Sequence, residues 1–505
     1  MKFLCGNVHT KVVCDPMDAD LLAAVLRSPE VDDDRTLLTR DDDVYFATGL
    51  IPYVLPLLAT RGITPVIVGD PFAAVDQYPD IPPSILATGE FSLRSYQVSA
   101  IAKAVSAGRG TVNVATGGGK TEIAIGIIRH LLDTRLARRA LFVVPSSTLL
   151  QQQAYDRFLL RGFTEEEVGL VGSGSSDSGK TVTIGIVNSL YRGIRKNDRA
   201  VVDMVEEADV VIFDETHHLS ADSWVRVASA CQARYRFGLT ATVWDDPKKL
   251  SYSDLLLIGL TGPVCVRISA SFLISSGHAA KPIICMPVVD RPKVLINPAM
   301  PTAWLKVYKR GIVEHHERNS MVVCFAKNMY ARGYKVMVFV TEIKHGRALL
   351  ARFRAAGAAR SVFIHGGSSA EFFMDAVHVH NTWSAADLAR YVGQEEPCVV
   401  IINQVGDEGL DLPTVNVLVL AGGKKKYRLT MQRIGRGLRP KEGENVVYVL
   451  DPFDMTHPFL HSHAKYRKWT YENEKFGVVQ EHALAALLGY NPLKEGSCET
   501  NVNPG

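Results

Sequence analysis

The stretch Val-Ala-Thr-Gly-Gly-Gly-Lys-Thr occupies residues 114–121 of this 505-residue chain. An apolar run leads into it, predicted as a strand over 111–115, and a helical pattern follows over 122–130. Glycines let main-chain N–H groups approach phosphate oxygens, and the start of a helix adds a favourable dipole. A strand, a glycine turn and a helix in this order predict a phosphate-binding loop at the edge of a sheet.

In such a loop the lysine reaches the β- and γ-phosphates of a nucleotide and the hydroxyl after it binds Mg²⁺, so ATP and Mg²⁺ are the predicted cofactors. These roles fall on Lys120 and Thr121. The strict pattern has glycine where this chain has Val114, so a chance glycine turn remains an alternative for this stretch alone. The predicted nucleotide contacts here are Thr116, Gly117, Gly118, Gly119, Lys120 and Thr121.

A second stretch, Val-Val-Ile-Phe-Asp-Glu-Thr-His-His at 210–218, supplies paired carboxylates. Four apolar residues predict a buried strand that ends at Asp214 and Glu215, with an acidic surface pair as the alternative. We expect Asp214 to hold Mg²⁺ through water and Glu215 to orient and deprotonate the attacking water. The two histidines that follow lack further ligands at a metal-site spacing, so His217 is interpreted as a γ-phosphate sensor or an interlobe contact.

A third stretch, Gln-Arg-Ile-Gly-Arg-Gly-Leu-Arg at 432–439, carries two arginines that we place one helical turn apart. Arg436 and Arg439 have the charge needed to stabilise the γ-phosphate during cleavage, which the glycine loop itself lacks. A phosphate loop in one lobe and arginines in another predict an ATPase site that opens and closes between lobes.

The chain is too long for one hydrophobic core. Repeated strand–turn–helix patterns predict an α/β fold with two similar parallel-sheet lobes and a small α+β N-terminal domain. The predicted divisions are a small acidic domain at 1–88, a first lobe at 89–285, a connector at 286–300, a second lobe at 301–455, and a helix and tail at 456–505. The predicted lobe strands are 111–115, 140–145, 182–187, 210–214 and 236–240, then 336–340, 361–365, 398–403, 415–421 and 446–451; a flexible loop is expected at 172–180.

Charge is unevenly distributed along the chain. Residues 1–90 hold 6 Lys+Arg against 14 Asp+Glu, or −8, while the whole chain is at +3, which leaves +11 for the remainder. The positive charge beyond residue 90 suits a polyanion partner such as nucleic acid. The acidic residues 1–90 instead favour contact with a protein partner, or a role in restraining the two lobes. Eight scattered cysteines without a Cys-x-x-Cys pair, and no long apolar run, indicate a cytoplasmic protein, in the host bacterium if a phage encodes it.

Further motifs occur in the order found in superfamily 2 helicases, and the chain resembles that family across roughly 90–450. The resemblance implies RecA-like lobes. The matching stretches are Leu-Arg-Ser-Tyr-Gln at 93–97 (adenine recognition), 144–149 (motif Ia), 184–190, 238–242 (motif III), 338–341 and 364–366 (motifs IV and IVa), 406–413 (motif V) and 432–439 (motif VI, with the arginine fingers).

The resemblance also implies residue roles. Nucleotide contacts fall on Arg94, Gln97, Gly409 and Asp411. Nucleic acid would lie across both lobes and be held by its phosphates, which makes binding independent of sequence and sensitive to salt. For Lys424 and Lys425 a solvated basic turn is an equal alternative. The predicted nucleic-acid contacts are Pro145, Ser146, Ser147, Asn188, Thr341, His365, Gly366, Lys424 and Lys425.

Three details favour DNA over RNA: Asp-Glu-Thr-His at 214–217, Thr-Ala-Thr at 240–242, and glutamine at the start of motif VI. They resemble DExH translocases of the XPB-like and restriction-type branch, and the layout resembles phage UvsW-type recombination helicases. The expected activity is ATP-dependent remodelling of branched, forked or duplex DNA in recombination or repair. Two alternatives stay open, an ATP-switched nucleic-acid sensor that does not move and an RNA helicase.

Overall fold

The computed structural model describes residues 1–479 except 28, 30–34, 73–77, 87, 90, 146–147, 173, 245–249, 298, 301–302, 367–368, 375–376, 384, 404–414, 442 and 444. The chain divides into two compact units, residues 1–269 and residues 270–505. Each unit is built around its own sheets.

The first unit begins with a five-stranded sheet in the order β3-β4-β2-β1-β5. β1 and β5 run parallel and the other pairs run antiparallel. Two helices accompany it, and Asp15 caps the first by accepting a hydrogen bond from the Asp18 N–H. The predicted α+β unit is confirmed as a fold. Its elements are β1 (Lys2–Cys5), β2 (His9–Val13), α1 (Pro16–Val25), β3 (Leu38–Arg40), β4 (Val44–Ala47), α2 (Ile51–Ala59) and β5 (Val66–Val68).

The larger sheet of the first unit has eight strands in the order β13-β6-β12-β11-β7-β10-β8-β9. All are parallel except the β8–β9 pair. Its central strands are buried on both faces, which explains their continuous apolar sequences. The strands are β6 (Arg109–Val114), β7 (Ala140–Val144), β8 (Val168–Gly172), β9 (Ser175–Ser176), β10 (Val182–Ile186), β11 (Val210–Phe213), β12 (Tyr235–Thr240) and β13 (Val264–Ile268).

The five strands predicted for this lobe are confirmed, β8 and β13 were missed, and β9 lies inside the stretch predicted to be a flexible loop. The helices between the strands are α3 (Ser95–Ala107), α4 (Lys120–Asp133), α5 (Thr148–Leu160), α6 (Val187–Arg195), α7 (Arg199–Glu206), α8 (Asp222–Ala230) and α9 (Tyr252–Thr261).

The small N-terminal sheet is not an independent domain. Leu255 and Ile258 of α9 belong to the same hydrophobic core as Leu50 and Val54. The buried Arg109 at the start of β6 donates a hydrogen bond of 2.9 Å to the carbonyl of Asn7. Separating residues 1–88 would therefore expose apolar surface on α9, so the predicted boundary at residue 88 does not mark a separate core.

Gly49 and Gly259 let the backbones of the N-terminal part of the chain and of α9 come into close contact. A Cβ atom at Gly49 would overlap the Ile258 carbonyl oxygen and lie 2.6 Å from that of Gly259. We expect Gly49→Ala to lower the free energy of unfolding by about 1–3 kcal/mol, because backbone cannot move aside as a side chain can. Thermal melts would measure this, with Gly179→Ala as the control because it has open space around it. Equal melting temperatures for the two variants would contradict the close packing.

The second unit has a nine-stranded sheet in the order β19-β18-β17-β20-β16-β21-β22-β14-β24, and β15 pairs with β23 beside it. The sheet is parallel except for the β17–β18 and β18–β19 pairs. The strands are β14 (Lys281–Cys285), β15 (Val288–Val289), β16 (Val336–Phe339), β17 (Ser361–His365), β18 (Ser369–Met374), β19 (Val377–Thr382), β20 (Val399–Ile402), β21 (Val417–Val419), β22 (Val446–Leu450), β23 (Phe453–Asp454) and β24 (Gly477–Val479).

Its five predicted strands are confirmed, as is the C-terminal helix. The helices are α10 (Ala270–Ser275), α11 (Ala303–Tyr308), α12 (His316–Ala331), α13 (Ile343–Ala355), α14 (Ala385–Gly393), α15 (Tyr427–Gly437) and α16 (Pro458–Asn473), with a wider helical turn at Lys309–Val313 after α11.

Three predicted boundaries in this half of the chain are wrong. The first lobe does not extend to residue 285, because β14 pairs with β22 in the second sheet. The expected connector at 286–300 contains β15, which pairs with β23. The segment after 455 is not separate either, because β24 pairs with β14 and so extends the same sheet. Predicted tail residues beyond 479 lie outside the described residues.

Candidate ATPase site and nucleic-acid contacts

The glycine loop joins β6 to α4, as predicted. Gly117 and Gly119 have φ angles of 83° and 79°, which residues with a Cβ rarely adopt. A Cβ at Gly119 would also collide with the amide nitrogen of Gln97. Lys120 is the first residue of α4 and its side chain is 17% exposed. The loop therefore presents main-chain N–H groups and one ammonium group at the start of a 14-residue helix.

The predicted adenine-recognition segment lies against this loop. The Gln97 amide donates to the Gly118 carbonyl at 3.3 Å, and its oxygen accepts from the Arg94 N–H at 2.9 Å. Sequence reasoning missed Tyr96, whose hydroxyl donates to the same Gly118 carbonyl at 3.1 Å and accepts from Arg94 at 3.0 Å. The structure thus brings residues 94–97 and the phosphate loop together, while adenine recognition itself stays a prediction.

Asp214 and Glu215 follow β11, next in the sheet to β12 and β7. The N–H of Asp214 continues the ladder to the Val143 carbonyl at 2.9 Å. Glu215 then takes a left-handed conformation, with φ 49° and ψ 52°, which turns its carboxylate towards Lys120. The Lys120 Nζ and Glu215 Oε1 atoms are 3.7 Å apart. The structure therefore joins two of the three stretches found in the sequence.

The two carboxyl groups differ in electrostatic environment. Burial raises the pKa of Asp214 to about 6, and the neighbouring Glu215 carboxylate adds to the rise. Burial alone would raise the pKa of Glu215, but the Lys120 ammonium and His217 outweigh it and hold that pKa well below its usual range. Glu215 is thus the carboxylate that stays ionised in this pair.

His217 lies next to the Glu215 carboxylate. Its Nδ1 is 3.3 Å from Glu215 Oε2, yet both atoms are buried and neither has a hydrogen bond of normal geometry within the described part of the chain. The His217 ring lies 4.2 Å from that of His218, which stacks on Trp224. Buried polar atoms of this kind normally have a partner, so water or a phosphate oxygen fits here.

The residues that follow β11, from Asp214 to His218, contact the end of β12 through Thr216. The Thr216 hydroxyl donates to the Leu239 carbonyl at 2.9 Å. A Cβ at Gly238 would overlap the Thr216 side chain, so glycine is needed for this close approach. Thr240 and Thr242 hydrogen bond to each other just beyond. The residue that follows Glu215 is therefore in direct contact with residues 238 and 239.

Mg²⁺ fits the donor set of the first unit. The Thr121 hydroxyl and the Asp214 carboxylate are hard oxygen donors at the same sheet edge, and Mg²⁺ prefers a few such ligands with water completing the octahedron. The Oε2 atom of Glu215, which has no hydrogen bond of normal geometry among the described residues, offers a further acceptor for such a water. Their role as ligands remains a prediction.

In the second unit the two predicted arginines are arranged differently from expectation. Arg436 lies on α15, but the helix ends at Gly437, so Arg439 follows the helix rather than lying one helical turn along it. Both are partly buried. The sequence reasoning missed Arg433, which is buried over the Phe339 ring and donates to the Val340 carbonyl. Gly409 and Asp411 lie outside the described residues.

The residues predicted to contact nucleic acid differ in how exposed they are. Pro145 follows β7 and is half-buried, Asn188 is exposed on α6, and Gly366 is exposed after β17. Ser146 and Ser147 lie outside the described residues. The imidazole of His365 is buried and pairs with Glu371 at 2.5 Å, and the nucleic-acid contact of this residue stays a prediction. Thr341 follows β16, and its hydroxyl is buried.

Lys424 is half-buried and Lys425 is exposed, with its Nζ 5.2 Å from the centre of the Tyr466 ring on α16.

No helix in the described part of the chain is long and apolar enough to cross a membrane.

Taken together, the parallel sheets, the glycine loop and the carboxylate pair define a nucleoside triphosphatase of helicase type. A family profile described as "Type III restriction enzyme, res subunit" matches residues 90–245, and one described as "Helicase conserved C-terminal domain" matches residues 320–441. The chain belongs to the superfamily 2 helicases and is an ATP-dependent enzyme of that class.

Relatives and solved structures agree with this assignment. "Putative helicase 22" of a Sulfolobus islandicus filamentous virus is 25% identical over 78% of this chain and 69% of its own length. "DNA 3'-5' translocase XPB2" of Sulfurisphaera tokodaii is 23% identical over 72% of this chain and 82% of its own length. The DNA-bound helicase MrfA shares the fold, with a TM-score of 0.54 at 15% identity over 82% of this chain and 53% of that one.

The structure of T4 UvsW covers 95% of this chain and 99% of that chain, at 17% identity. Its TM-score of 0.42 is too low to support an argument, so the closer likeness to UvsW-type helicases rests on sequence layout.

Proposed function

We propose that the protein is a DExH-type DNA translocase that uses the free energy of ATP hydrolysis to move along, and remodel, branched, forked or duplex DNA. The observation that carries the proposal is the 3.7 Å distance between Lys120 Nζ and Glu215 Oε1 beside the glycine loop. That arrangement has a phosphate-binding ammonium and an ionised base in one place. The relative named as a DNA translocase supports DNA as the substrate.

The chemistry follows from the geometry of the first unit. Main-chain N–H groups of the glycine loop and the Lys120 ammonium bind the phosphates of ATP. Binding of a triphosphate draws Lys120 away from Glu215, and the released carboxylate accepts a proton from the attacking water. Mg²⁺, held by Thr121 and through water by Asp214, supplies charge neutralisation at the phosphates when bound.

The same site is placed to signal to the rest of the protein. Thr216 connects Glu215 to the Leu239 carbonyl and hence to residues 240–242, which resemble the motif that links hydrolysis to strand binding. In the second unit, Arg436 and Arg439 would approach the γ-phosphate when ATP is bound. In each cycle these arginines would approach the γ-phosphate when ATP binds and move away after hydrolysis. This movement would change how tightly each unit binds a nucleic-acid strand.

The binding partners are proposed from the distribution of charge along the chain. A basic body of +11 beyond residue 90 suits DNA phosphates, and the acidic residues 1–90 at −8 suit a protein partner rather than DNA. We place the protein in the cytoplasm, consistent with scattered cysteines and with a viral relative.

A triplex-displacement assay tests movement directly. With ATP, the wild-type protein is expected to displace a third strand from duplex DNA, and a non-hydrolysable ATP analogue is expected to leave it in place. ATP turnover measured with duplex DNA, forked DNA and RNA identifies the substrate, and DNA is expected to stimulate most. ATP binding without displacement would instead favour a switch, and stimulation by RNA alone an RNA helicase.

A further inference from the structure

Three side chains of metal-binding type lie together at the outer edge of the large sheet in the second unit. They are His365 at the end of β17, Glu371 in β18 and His380 in β19. The strand order β19-β18-β17 places these strands side by side, with β19 at the edge. The ATPase chemistry of the first unit uses none of the three side chains.

The register of the strands explains why the three side chains meet. Glu371 is directly opposite Phe363 in the antiparallel β17–β18 pair, and His380 is directly opposite Glu371 in the β18–β19 pair. His365 lies two residues after Phe363 and is therefore on the same face of β17. Side chains that are directly opposite have Cβ atoms about 4.5–5.5 Å apart, and diagonal neighbours stay within reach of long side chains. One face of three adjacent strands thus presents two imidazoles and a carboxylate.

The donor atoms of these side chains are close enough to share one ion. One ligand atom of each residue lies within 4.8 Å of the ligand atoms of the other two. The His365 Nε2 and Glu371 Oε1 atoms are 2.5 Å apart. In a tetrahedral site with bonds of about 2.0–2.1 Å, neighbouring ligand atoms are about 3.3–3.4 Å apart. That spacing falls between the two distances, so small side-chain rotations are enough to place all three atoms around an ion.

The cluster is closed towards the sheet and open towards solvent. The side chains of His365 and Glu371 are buried, being 9% and 1% exposed, whereas His380 is exposed. The His365 ring packs 4.9 Å from the ring of Phe363, and the His380 ring lies nearly parallel to it at 5.9 Å. An ion can therefore enter past His380, and water can take a fourth position beside the three protein ligands.

Arg347 of α13 orients the carboxylate. Its Nη2 donates to Glu371 Oε1 at 2.7 Å, and its Nε contacts both carboxylate oxygens at 2.9 Å. Carboxylates that bind metals usually have outer hydrogen-bond partners that fix their orientation. A second cation on the same carboxylate also lowers the affinity for a metal ion. The Arg347 side chain is 53% exposed, so solvent screens its charge and limits this effect.

The chemistry of the donor set selects the metal. Two imidazole nitrogens and one carboxylate suit Zn²⁺, whereas Mg²⁺ prefers oxygen ligands and keeps most of its water. This set therefore differs from the hydroxyl and carboxylate predicted to hold Mg²⁺ in the first unit. Because the two preferences differ, an excess of Mg²⁺ can occupy the ATPase site while Zn²⁺ binding is measured.

We propose that His365, Glu371 and His380 form a zinc-binding site that links the edge strand β19 to β17 through β18. Each of the three strands contributes one ligand, so the bound ion holds the two outer strands in the sheet. The imidazoles bind as neutral ligands, and a proton shared between His365 and Glu371 leaves when the ion enters. The site goes beyond the proposed function, since it needs neither ATP nor DNA.

Zinc uptake by the purified full chain tests the site. The protein, freed of any polyhistidine tag, is titrated with Zn²⁺ by isothermal calorimetry in excess Mg²⁺ without ATP, and retained zinc is counted by mass spectrometry after gel filtration. The wild type is expected to retain about one Zn²⁺ per chain more than His380→Ala does. Cysteine thiols also bind Zn²⁺, but both proteins contain the same cysteines, so the difference isolates this site.

The variants assign the ligands. His380→Ala is expected to raise the Kd for Zn²⁺ by at least about 10–100-fold, the range that loss of an outer partner of a metal ligand already causes. Glu371→Gln keeps the shape of the carboxylate without its charge, and it is expected to weaken binding similarly. His316→Ala is the matched control, because it removes an exposed histidine at the start of α12 in the same unit and should bind as the wild type does.

Thermal melts give a second readout. Zn²⁺ at about 100 times its Kd is expected to raise the melting temperature of the wild type by roughly 5–10 °C, because an ion that binds only the folded state stabilises it. His380→Ala should melt like the wild type in the presence of a chelator and gain nothing from Zn²⁺. If the wild type and His380→Ala retain equal zinc with equal Kd, the proposal is wrong, and Arg347, Glu371 and His365 form a charge network only.

Discussion

Glu215→Gln is expected to reduce DNA-stimulated ATP hydrolysis by roughly 10²–10⁴-fold, because the amide has the shape of the carboxylate but cannot accept a proton from water. The carboxylate is held ionised by Lys120 at 3.7 Å, which suits it to act as the base. ATP binding should persist, since the loss of a negative charge near the γ-phosphate removes a repulsion. A coupled assay for released phosphate and a titration with a fluorescent ATP analogue measure the two quantities.

The matched control is Glu206→Gln, which makes the same change at an exposed position on α7 of the same unit. It is expected to hydrolyse ATP at the wild-type rate. DNA binding by Glu215→Gln should remain measurable, because Glu215 belongs to the nucleotide site. Wild-type-like turnover by Glu215→Gln would remove the basis for the ATPase assignment of this site.

The first half of the ATPase site could be predicted because its signals are local. A glycine loop between a strand and a helix fixes where Lys120 lies, and an apolar strand fixes where Asp214 and Glu215 lie. Parallel strands then bring their carboxyl ends to one edge of the sheet. Tyr96 was missed because its role depends on the Gly118 carbonyl, which no spacing in the sequence reveals.

Errors arose where partners are far apart in the chain. β14 contains a proline in a short apolar run and its partner β22 lies near the other end of the unit, so periodicity alone does not reveal the pairing. Asp451 and Asp454 are paired in the core with Arg467 and Arg318, and no spacing in the sequence reveals these pairs. His365 and Glu371 are only 6 residues apart, but their pairing depends on the antiparallel β17–β18 pair, and β18 was not predicted.

The contacts of residues 421–424 were hidden from sequence reasoning for the same reason. The side chains that donate to the carbonyls of Gly422, Ala421 and Lys424 come from α11, α12 and α16. The phosphate contact of Lys424 and Lys425 stays a prediction beside the solvated basic turn. Tyr466 and Trp469 pack against each other at 5.5 Å on α16, at the helical spacing that favours packing.

Arg436→Ala is expected to lower the rate of ATP hydrolysis by about 10³–10⁵-fold, the range found when an arginine that stabilises the transferring phosphate is removed. The expectation depends on the two units cooperating, because Arg436 lies on α15 of the second unit and the glycine loop lies in the first. ATP affinity should change by only a few fold, since the arginine acts on charge that develops during cleavage. Single-turnover hydrolysis and nucleotide titration separate the two effects.

Arg310→Ala is the matched control, because Arg310 is an exposed arginine of the same unit and is expected to leave turnover unchanged. Arg439→Ala tells whether the arginine beyond the helix shares the role, and a comparable loss there would mean that both guanidinium groups contact the phosphate. If Arg436→Ala hydrolyses ATP as fast as the control, the second unit supplies no catalytic arginine from α15. Hydrolysis would then be a property of the first unit alone, and its coupling to the second would have to run through the Thr216–Leu239 contact instead.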